Sequence, residues 1–380
     1  MVDFTSALYL GIRHPSRLLK PWRQLTLGVP SALAEPPGAG RVAQALAEMQ
    51  GSERGVLMPS TFHLFWDLFG MLSKQPVSIY LDEGAYAIAR WGVERAVAGG
   101  ASVQRFRHHD ADALMSRMMR KTRSKKRPIV VTDGFCPACG GPAPIGDYLE
   151  IVRRFDGLLI LDDTQSLGIL GEAPMENPPY GTGGGGVLRW SGHLGPDILV
   201  GVSLAKGFGV PVAALLGSHE MVGCFTAGSD TRVHCSPPSL AAIHAAEHAL
   251  VINGACGDRL RRRLERRVRQ FRDGLAQLGW VSAGAFFPVQ TLSNITGPQA
   301  LLVHHHLRMS GVKAFLSRPH GSGTARLSFI MTARHSAEDI DRCMEVLEVF
   351  TRGSRARINR HRMGDAPRNG GSRFASSRTT

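Results

Sequence analysis

The sequence predicts an α/β protein built on a mostly parallel sheet. From Gly40 onward, short apolar segments that suit buried strands alternate with segments of helical periodicity. Residues 158–161 form one such strand, which ends at Asp162, and residues 197–202 form another, which leads to Lys206. Because parallel strands end together at one edge of a sheet, we expect the carboxylate and the lysine to meet at a ligand site there.

The first element is an extended arm over residues 1–40. Prolines interrupt any long helix in this stretch, at positions 15, 21, 30, 36 and 37. Apolar residues at helical spacing then predict a helix between Gly40 and Gly51. A short buried strand at 56–58 follows, and it ends at a turn that begins with Pro59.

The same alternation continues through a large domain, which we place at residues 41–238. Strands are predicted at 77–81, 103–106 and 129–132, and helices at about 87–98 and 111–119. Strands that alternate with helices in this way favour βαβ units, and therefore a sheet of parallel strands.

A smaller domain is predicted at residues 239–350. A long helical stretch runs from Pro238 to about Leu278, and we expect a break near 254–257 because two glycines lie there. The remaining elements are a helix at about 301–308, a strand at 326–331 and a last helix to about Phe350. Residues 351–380 are rich in Arg, Ser, Gly and Asn, so a disordered basic tail is expected.

The chain is strongly basic. Its 380 residues carry a formal net charge of +14, and the segment after Phe350 contributes +7 of this, from eight arginines and one aspartate. Two further basic runs lie at 117–127 and 259–272. Such a surface can attract CoA phosphates, an acidic carrier protein or nucleic acid, or it can simply keep the protein in solution. Nucleic acid is the partner that we expect least.

Signals for a membrane or for export are not found in the sequence. The apolar runs are all shorter than the roughly 20 residues that a membrane helix needs. The N-terminus lacks the charged and apolar regions of an export signal. Six cysteines are scattered without the density of a disulfide scaffold. These features favour a cytoplasmic protein.

Two motifs carry a resemblance to a known family. They are Asp162-Asp163-Thr164-Gln165, followed by Gly168 and Gly171, and Lys206-Gly207-Phe208-Gly209. In these and in further motifs over roughly residues 5–350, the chain resembles the α-oxoamine synthases, which use pyridoxal 5'-phosphate (PLP) to condense an amino acid with an acyl thioester. The resemblance implies the aspartate-aminotransferase-like fold, fold type I of the PLP enzymes. That fold has a large domain with a mostly parallel seven-stranded sheet and a small C-terminal α/β domain.

The resemblance also implies which residues hold the cofactor. Lys206 matches the lysine that binds PLP covalently. Asp162 matches the acid beside the pyridine nitrogen, where its charge keeps that nitrogen protonated. The phosphate is expected at the start of the helix after Met58, because helix N-termini bind phosphate. Four residues are expected to assist there, namely Ser60, Thr61, Phe62 and Ser203.

Two positions of the site depart from the family's pattern. Tyr86 stands where the family has a histidine stacked on the cofactor ring, and Gln165 stands where it has a second histidine. A tyrosine can stack through its π-face, and a glutamine amide can donate a hydrogen bond, but neither exchanges a proton near neutral pH as imidazole does. The three predicted catalytic residues are Lys206, Asp162 and Tyr86.

The first functional hypothesis is a condensation reaction. Arg326 matches the family's arginine for the substrate carboxylate, and a guanidinium fork suits that role. The resemblance implies a homodimer that joins a small amino acid to an acyl thioester of CoA or of an acyl-carrier protein, with decarboxylation, to give an α-amino ketone. Transamination on the same fold is the runner-up. A basic binding protein without catalysis is the third hypothesis.

Three further sequence patterns give only weak indications of a functional site. Cys136 and Cys139 have the spacing of half a zinc site or of a redox pair, but the sequence has no second such pair, so no metal is expected. The histidines at 304–306 are consecutive, so their side chains point in different directions on a helix. The glycines at 183–186 favour a mobile loop near the active site over a phosphate cradle.

Overall fold

Strands and helices alternate along most of the chain in the computed structural model, which describes residues 1–120, 125–176, 179–317 and 324–364, with side chains up to residue 353. The strands are β1 (Val2–Asp3), β2 (Arg54–Met58), β3 (Val77–Asp82), β4 (Ser102–Phe106), β5 (Arg127–Asp133), β6 (Phe135–Cys136), β7 (Gly141–Pro142), β8 (Leu158–Asp162), β9 (Ile198–Ser203), β10 (Ala213–Gly217), β11 (Ser282–Ala283), β12 (Val289–Leu292), β13 (Val312–Lys313), β14 (Phe315–Ser317) and β15 (Arg326–Ile330).

The helices are α1 (Ala39–Gln50), α2 (Thr61–Leu72), α3 (Ala87–Ala98), α4 (Ala111–Met119), α5 (Ile145–Arg154), α6 (Val187–Ser191), α7 (His219–Gly228), α8 (Asp230–His234), α9 (Leu240–Gln277), α10 (Gly297–Met309) and α11 (Ala337–Gly364). A 3₁₀ turn lies at Ser16–Leu18 in the N-terminal arm. The helices and strands predicted between Gly40 and residue 133 are all present.

A seven-stranded sheet lies in the part of the chain between residues 54 and 217. Its strand order is β2-β10-β9-β8-β5-β3-β4. Strand β10 runs antiparallel to both of its neighbours, whereas the other neighbouring pairs are parallel. The predicted mostly parallel seven-stranded sheet is therefore confirmed.

Apolar side chains fill both faces of this sheet. Every residue of β3, β8 and β10 is buried, as expected for strands that helices cover on both sides. Side chains alternate between the faces, so Leu159 and Leu161 join the core beneath α1, α5 and α9, whereas Leu158 and Ile160 join the core beneath α2, α3 and α7. This double cover fixes the carboxyl ends of the strands, and the candidate site lies at that edge.

A second, antiparallel sheet lies in the C-terminal part of the chain, with the order β11-β12-β15-β14. The N-terminal arm is joined to this part. Strand β1 pairs with β13, and Ile330 N donates to Phe4 O over 2.8 Å. The arm then reaches the turn after β8, where Tyr9 is buried at 1% exposure and contacts Gln165.

The predicted break in the long helix is wrong. The helix α9 is continuous from Leu240 to Gln277, with no break at its two glycines. A Cβ at Gly257 would lie 2.8 Å from Arg261 Nη2, so the glycine makes room for this guanidinium, which donates to Gly168 O over 2.9 Å. That packing offsets the helix cost of glycine, about 1 kcal/mol.

The last helix also differs from the prediction. It was expected to end near Phe350, but α11 continues to Gly364, so residues 351–364 of the predicted disordered tail are helical. Arginine and methionine are good helix formers, and no proline interrupts the segment before Pro367. Residues 365–380 of the predicted tail lie outside the described residues.

None of the helices in the described ranges combines the length and the apolar character that crossing a lipid bilayer requires.

Candidate active site

A cavity of about 210 Å³ lies at the carboxyl edge of the central sheet. The ends of β5 and β8, the turn after β9, the start of α2 and the turn before α3 contribute to its wall. Six residues singled out from the sequence line it: Thr61, Tyr86, Asp162, Gln165, Ser203 and Lys206. The structure thus brings the strand-end carboxylate and the lysine into one cavity.

Lys206 lies in the tight turn that follows β9. A Cβ at Gly207 would lie 2.3 Å from Leu167 O, so glycine is needed for the close approach of the two turns. Burial lowers the pKa of the Lys206 amine, although the nearby carboxylates Asp162 and Asp133 act in the opposite direction. A lower pKa increases the fraction of neutral amine, which is the form that attacks a carbonyl carbon.

Asp162 ends β8 and is 6% exposed. Its Oδ1 accepts a hydrogen bond from Thr164 N over 3.1 Å. Burial raises the pKa of the Asp162 carboxyl, while the hydrogen bonds from Thr164 and the charge of Lys206 act to lower it. A positive charge placed next to Asp162 in the cavity would therefore stabilise its ionised form.

Asp133 is a second cavity carboxyl, and sequence reasoning missed its role. It lies opposite Asp162 in the register of β5 and β8, and its Oδ1 accepts from Tyr86 N over 2.9 Å. Burial, followed by the negative charge of Asp162, raises the pKa of Asp133 well above its usual range. Of the two carboxyls, Asp133 is the one whose protonated form burial and charge favour more strongly. Asp133 directly follows a predicted strand, and Asp162 likewise lies at a strand end. This position could have indicated a role for Asp133 in the site.

The neighbouring Asp163 has a structural role. It is fully buried and accepts hydrogen bonds from Gln50 Nε2 over 2.9 Å and from Val187 N over 3.0 Å, and also from the Ser166 hydroxyl. Burial nevertheless raises the pKa of Asp163 to about 7. These bonds tie α1 and α6 to the end of β8, behind the cavity.

Gln165 is oriented by the N-terminal arm. Its Oε1 accepts from the hydroxyl of Tyr9 over 2.7 Å. Because the amide oxygen is engaged, the amide nitrogen is the end of Gln165 that can donate a hydrogen bond into the cavity. This contact joins residues far apart in the chain, so the sequence alone did not predict it.

Tyr86 occupies the N-cap position of α3 and is 55% exposed. The Lys206 Nζ lies 5.8 Å from the centre of its ring. An aromatic face at the cavity wall, close to the amine, can stack on a planar ligand.

The start of α2 lies at the cavity and presents groups that can donate to an anion. Ser60 caps the helix, and its Oγ accepts from His63 N over 3.4 Å. Thr61, the first helical residue, lines the cavity, as does Ser203. Phe62 does not: it is 43% exposed, and its ring packs 5.8 Å from that of Trp66. Helical N–H groups and two hydroxyls form a donor set suited to a phosphate.

Arg326 lies apart from the cavity wall. It begins β15, opposite Ser317 on β14, and its side chain is exposed. Residues 318–323, which precede Thr324 and Ala325, lie outside the described residues.

The chemistry of these residues fits PLP. Lys206 supplies an amine of lowered pKa, and Asp162 supplies a buried acid that suits a pyridine nitrogen. The amide of Gln165 suits a phenolic oxygen, the N-terminus of α2 suits a phosphate, and Tyr86 offers an aromatic face.

Comparison with known proteins agrees with this fit. The model of the family "aminotransferase class I and II" matches residues 32–347. The 8-amino-7-oxononanoate synthase of Sodalis glossinidius (strain morsitans) is 31% identical over 359 residues, which are 91% of this chain and 87% of that protein.

Solved structures show the same architecture. A serine palmitoyltransferase from S. paucimobilis, solved with PLP and myriocin bound, aligns with a TM-score of 0.81 at 18% identity, over 92% of this chain and 87% of that one. The 8-amino-7-oxononanoate synthase of Francisella tularensis aligns with a TM-score of 0.72 at 16% identity, over 93% and 98% of the two chains. The predicted fold type I is confirmed.

Proposed function

Because the chain belongs to the aminotransferase class I and II family and is a PLP-dependent transferase of the α-oxoamine synthase type, we propose that it joins a small amino acid to an acyl thioester with loss of CO₂. The product would be an α-amino ketone. The acyl group would arrive on CoA or on an acyl-carrier protein, both of which are anionic and suit a basic protein.

The observation that carries this proposal is the shared cavity of Lys206 and Asp162, at the ends of neighbouring strands. PLP, when bound, supplies an electron sink for negative charge at the α-carbon of an amino acid. Asp162 strengthens that sink, since its buried negative charge favours a protonated ring nitrogen. Lys206 holds the cofactor and, as a neutral amine, can take a proton from the α-carbon.

The other cavity residues orient the reacting groups and manage charge. Burial and the charge of Asp162 raise the pKa of Asp133, which favours a single negative charge at that end of the cavity. The amide of Gln165 and the ring of Tyr86 position the cofactor without exchanging protons. Proton transfer thus falls to Lys206 among the residues that line this cavity.

The substrate carboxylate is assigned to Arg326. The support is its place in the Thr324-Ala325-Arg326-Leu327 sequence and the bidentate geometry of guanidinium with carboxylate. Its side chain is exposed, so it is accessible to a substrate that enters from solvent.

We also propose a homodimer in the cytoplasm. Phe62, Trp66 and Trp91 form an aromatic cluster at the start of α2 and on α3, and they are 43%, 39% and 48% exposed. Such an exposed apolar patch beside a cavity favours burial against a second copy. All six cysteines are free thiols, which suits a reducing compartment. Light scattering of the wild-type protein and of Trp91→Glu tests the dimer, and the variant should be monomeric.

The function is tested by product analysis. The purified full chain is loaded with PLP and incubated with pooled amino acids and with acyl-CoAs or acylated carrier proteins, and the products are identified by mass spectrometry. We expect a product with the mass of the amino acid plus the acyl group, minus CO₂ and minus the one hydrogen that leaves on the released thiol. Lys206→Ala is the control and should form none. A 2-oxo acid without acyl transfer would contradict the proposal.

A further inference from the structure

Two histidines and a cysteine come together beside the cavity. The possible ligand atoms of His108, His109 and Cys139 all lie within 4.8 Å of one another. The histidines lie in the loop between β4 and α4, and Cys139 lies in the turn between β6 and β7. The Sγ of Cys139 is 3.8 Å from Nδ1 of His109. With bond lengths of about 2.3 Å for Zn–S and about 2.0 Å for Zn–N, a tetrahedral ion separates such atoms by about 3.5 Å.

The two imidazoles have nitrogens without partners. Nε2 of His108 and Nε2 of His109 are buried and form no hydrogen bond within the described residues. Buried polar atoms without a partner are costly and call for an explanation such as an ion. Nδ1 of His108 is held by Oδ1 of Asp82 over 2.8 Å. A carboxylate that orients the far nitrogen of a histidine in this way is typical of metal ligands.

The backbone at His109 is strained in a way that favours the cluster. Its φ is +55°, a left-handed conformation that residues other than glycine adopt rarely. The conformation places the rings of His108 and His109 with centres 3.7 Å apart, although the residues are consecutive. An ion shared by both rings would offset that strain.

Cys136 is not one of the three clustered residues, but it lies in the same hairpin as Cys139 and is the candidate for a fourth ligand. It pairs with Gly141 across the β6–β7 hairpin, and Gly140 N donates to Cys136 O over 2.9 Å, which closes a tight turn around Cys139. The thiol of Cys136 interacts with both His108 and Cys139. Both cysteines are free.

We propose that His108, His109, Cys136 and Cys139 bind one thiophilic divalent cation of the zinc class. Two sulfurs and two nitrogens, with C-x-x-C spacing in a hairpin, are a donor set that zinc prefers over magnesium or calcium. The expectation of no metal considered only a second cysteine pair as the missing half of the site. The two histidines provide that half, from a loop about thirty residues earlier in the chain.

The ion would tie together two segments that shape the cavity. Asp82, which orients His108, also accepts from Gly84 N over 2.7 Å in the turn that leads to Tyr86, and from Thr132 Oγ1 over 3.0 Å, next to Asp133. The site is thus a structural clamp behind the cofactor cavity rather than part of it.

The test uses the full chain, purified under reducing conditions and assayed for metal content by mass spectrometry. After removal of metal with a chelator, Co²⁺ is added and the absorption of tetrahedral cobalt and of its thiolate bonds is followed, and Zn²⁺ is then used to displace it. We expect one ion per chain. Cys139→Ser and His109→Asn should each weaken binding at least about 100-fold, and asparagine tolerates the left-handed backbone at 109.

Cys224→Ser is the matched control, because Cys224 is also exposed but lies on α7. It should bind as the wild type does. Circular dichroism checks that each variant is folded. The proposal is overturned if the reduced wild-type chain takes up no Co²⁺ or Zn²⁺, or if folded Cys139→Ser binds with unchanged affinity. It is also overturned if thiol titration finds a Cys136–Cys139 disulfide in place of a bound ion.

Discussion

Asp133 and Asp162 lie opposite each other in the register of two parallel strands, and both line the cavity that contains Lys206. Two buried carboxyls so close cannot both ionise readily, since each charge raises the pKa of the other group. Burial and the charge of Asp162 raise the pKa of Asp133 well above its usual range, which favours its protonated form. The pair therefore offers one negative charge to the cofactor ring.

This division of roles predicts different effects of two matched substitutions. Asp162→Asn should lower kcat/KM about 100-fold with the fold intact, because the electron sink loses its charged partner. Asp133→Asn should stay within about threefold of wild type at neutral pH, since asparagine resembles a protonated carboxyl and can still accept from Tyr86 N. Steady-state kinetics and circular dichroism measure both.

The pH dependence of activity is the control for the assignment of the charged role to Asp162 and the protonated role to Asp133. The wild-type protein should lose activity as pH rises through the raised pKa of Asp133, because a second negative charge then enters the cavity. Asp133→Asn cannot ionise and should lack this loss. Near-normal activity of Asp162→Asn would instead transfer the charged role to another carboxylate.

Lys206 is predicted to carry the cofactor. The PLP-loaded protein should be yellow, and borohydride should fix the cofactor on the peptide that contains Lys206. Because burial lowers the pKa of this amine, PLP uptake should stay rapid at a pH below that required by an ordinary lysine. Absorbance and peptide mass spectrometry measure both. Lys206→Ala should bind no PLP covalently, whereas Lys74→Ala, at an exposed lysine, should behave as wild type.

The sequence predicted those parts of the site that depend on strand ends. Asp162 and Lys206 each follow an apolar strand, and the parallel sheet fixes where such strands end. Asp133 also ends a strand, but only the sheet order shows that β5 is the neighbour of β8. Without that order, the distance between the two carboxyls was unknown.

Contacts between segments that are distant in the chain could not be predicted from the sequence. The tie from Tyr9 to Gln165 spans 156 positions, and the approach of His109 to Cys139 depends on a left-handed backbone that no local pattern indicates. The predicted break in α9 was wrong for a related reason. Glycine has a low helix propensity, so the local sequence predicted a break. The helix continues because Arg261 packs beside Gly257, and this tertiary contact is not visible in the local sequence.

Tyr9 is predicted to be a positioning residue for Gln165. Tyr9→Phe removes one buried hydrogen bond, worth about 1 kcal/mol, and should weaken PLP binding about fivefold. The absorption maximum of the bound cofactor should also shift, because the amide of Gln165 would be free to turn. Tyr180→Phe is the matched control, since it removes another buried tyrosine hydroxyl, which donates to Phe286 O. An equal loss of PLP affinity in both variants would indicate a general loss of stability.

Tyr86 is predicted to act through its ring. Tyr86→Phe keeps the aromatic face and should retain activity within about threefold, whereas Tyr86→Ala should weaken PLP binding about tenfold. Kinetics and cofactor titration separate the two effects. A large loss of kcat in Tyr86→Phe, with PLP binding unchanged, would instead assign proton transfer to the hydroxyl.

The last prediction concerns the basic surface and the acyl donor. If the run at 117–127 attracts an anionic thioester, neutralising Arg123, Lys125 and Lys126 should raise the KM for the donor about threefold at low salt and leave it unchanged at about 0.3 M salt. Lys125 and Lys126 are exposed, and Arg123 lies outside the described residues.

The control for donor steering is removal of the C-terminal charge. Truncation at Phe350 would cut α11 and delete Thr351, whose hydroxyl accepts from Trp280 Nε1 over 3.0 Å. Truncation after Gly364 avoids that contact and should leave both stability and the donor KM unchanged. If the triple variant has the wild-type KM at every salt concentration, its three charges do not guide the donor. If truncation after Gly364 increases the KM for the donor, residues 365–380 attract the donor instead. Salt screens charges over short distances, so only charges near the path of the donor can guide it.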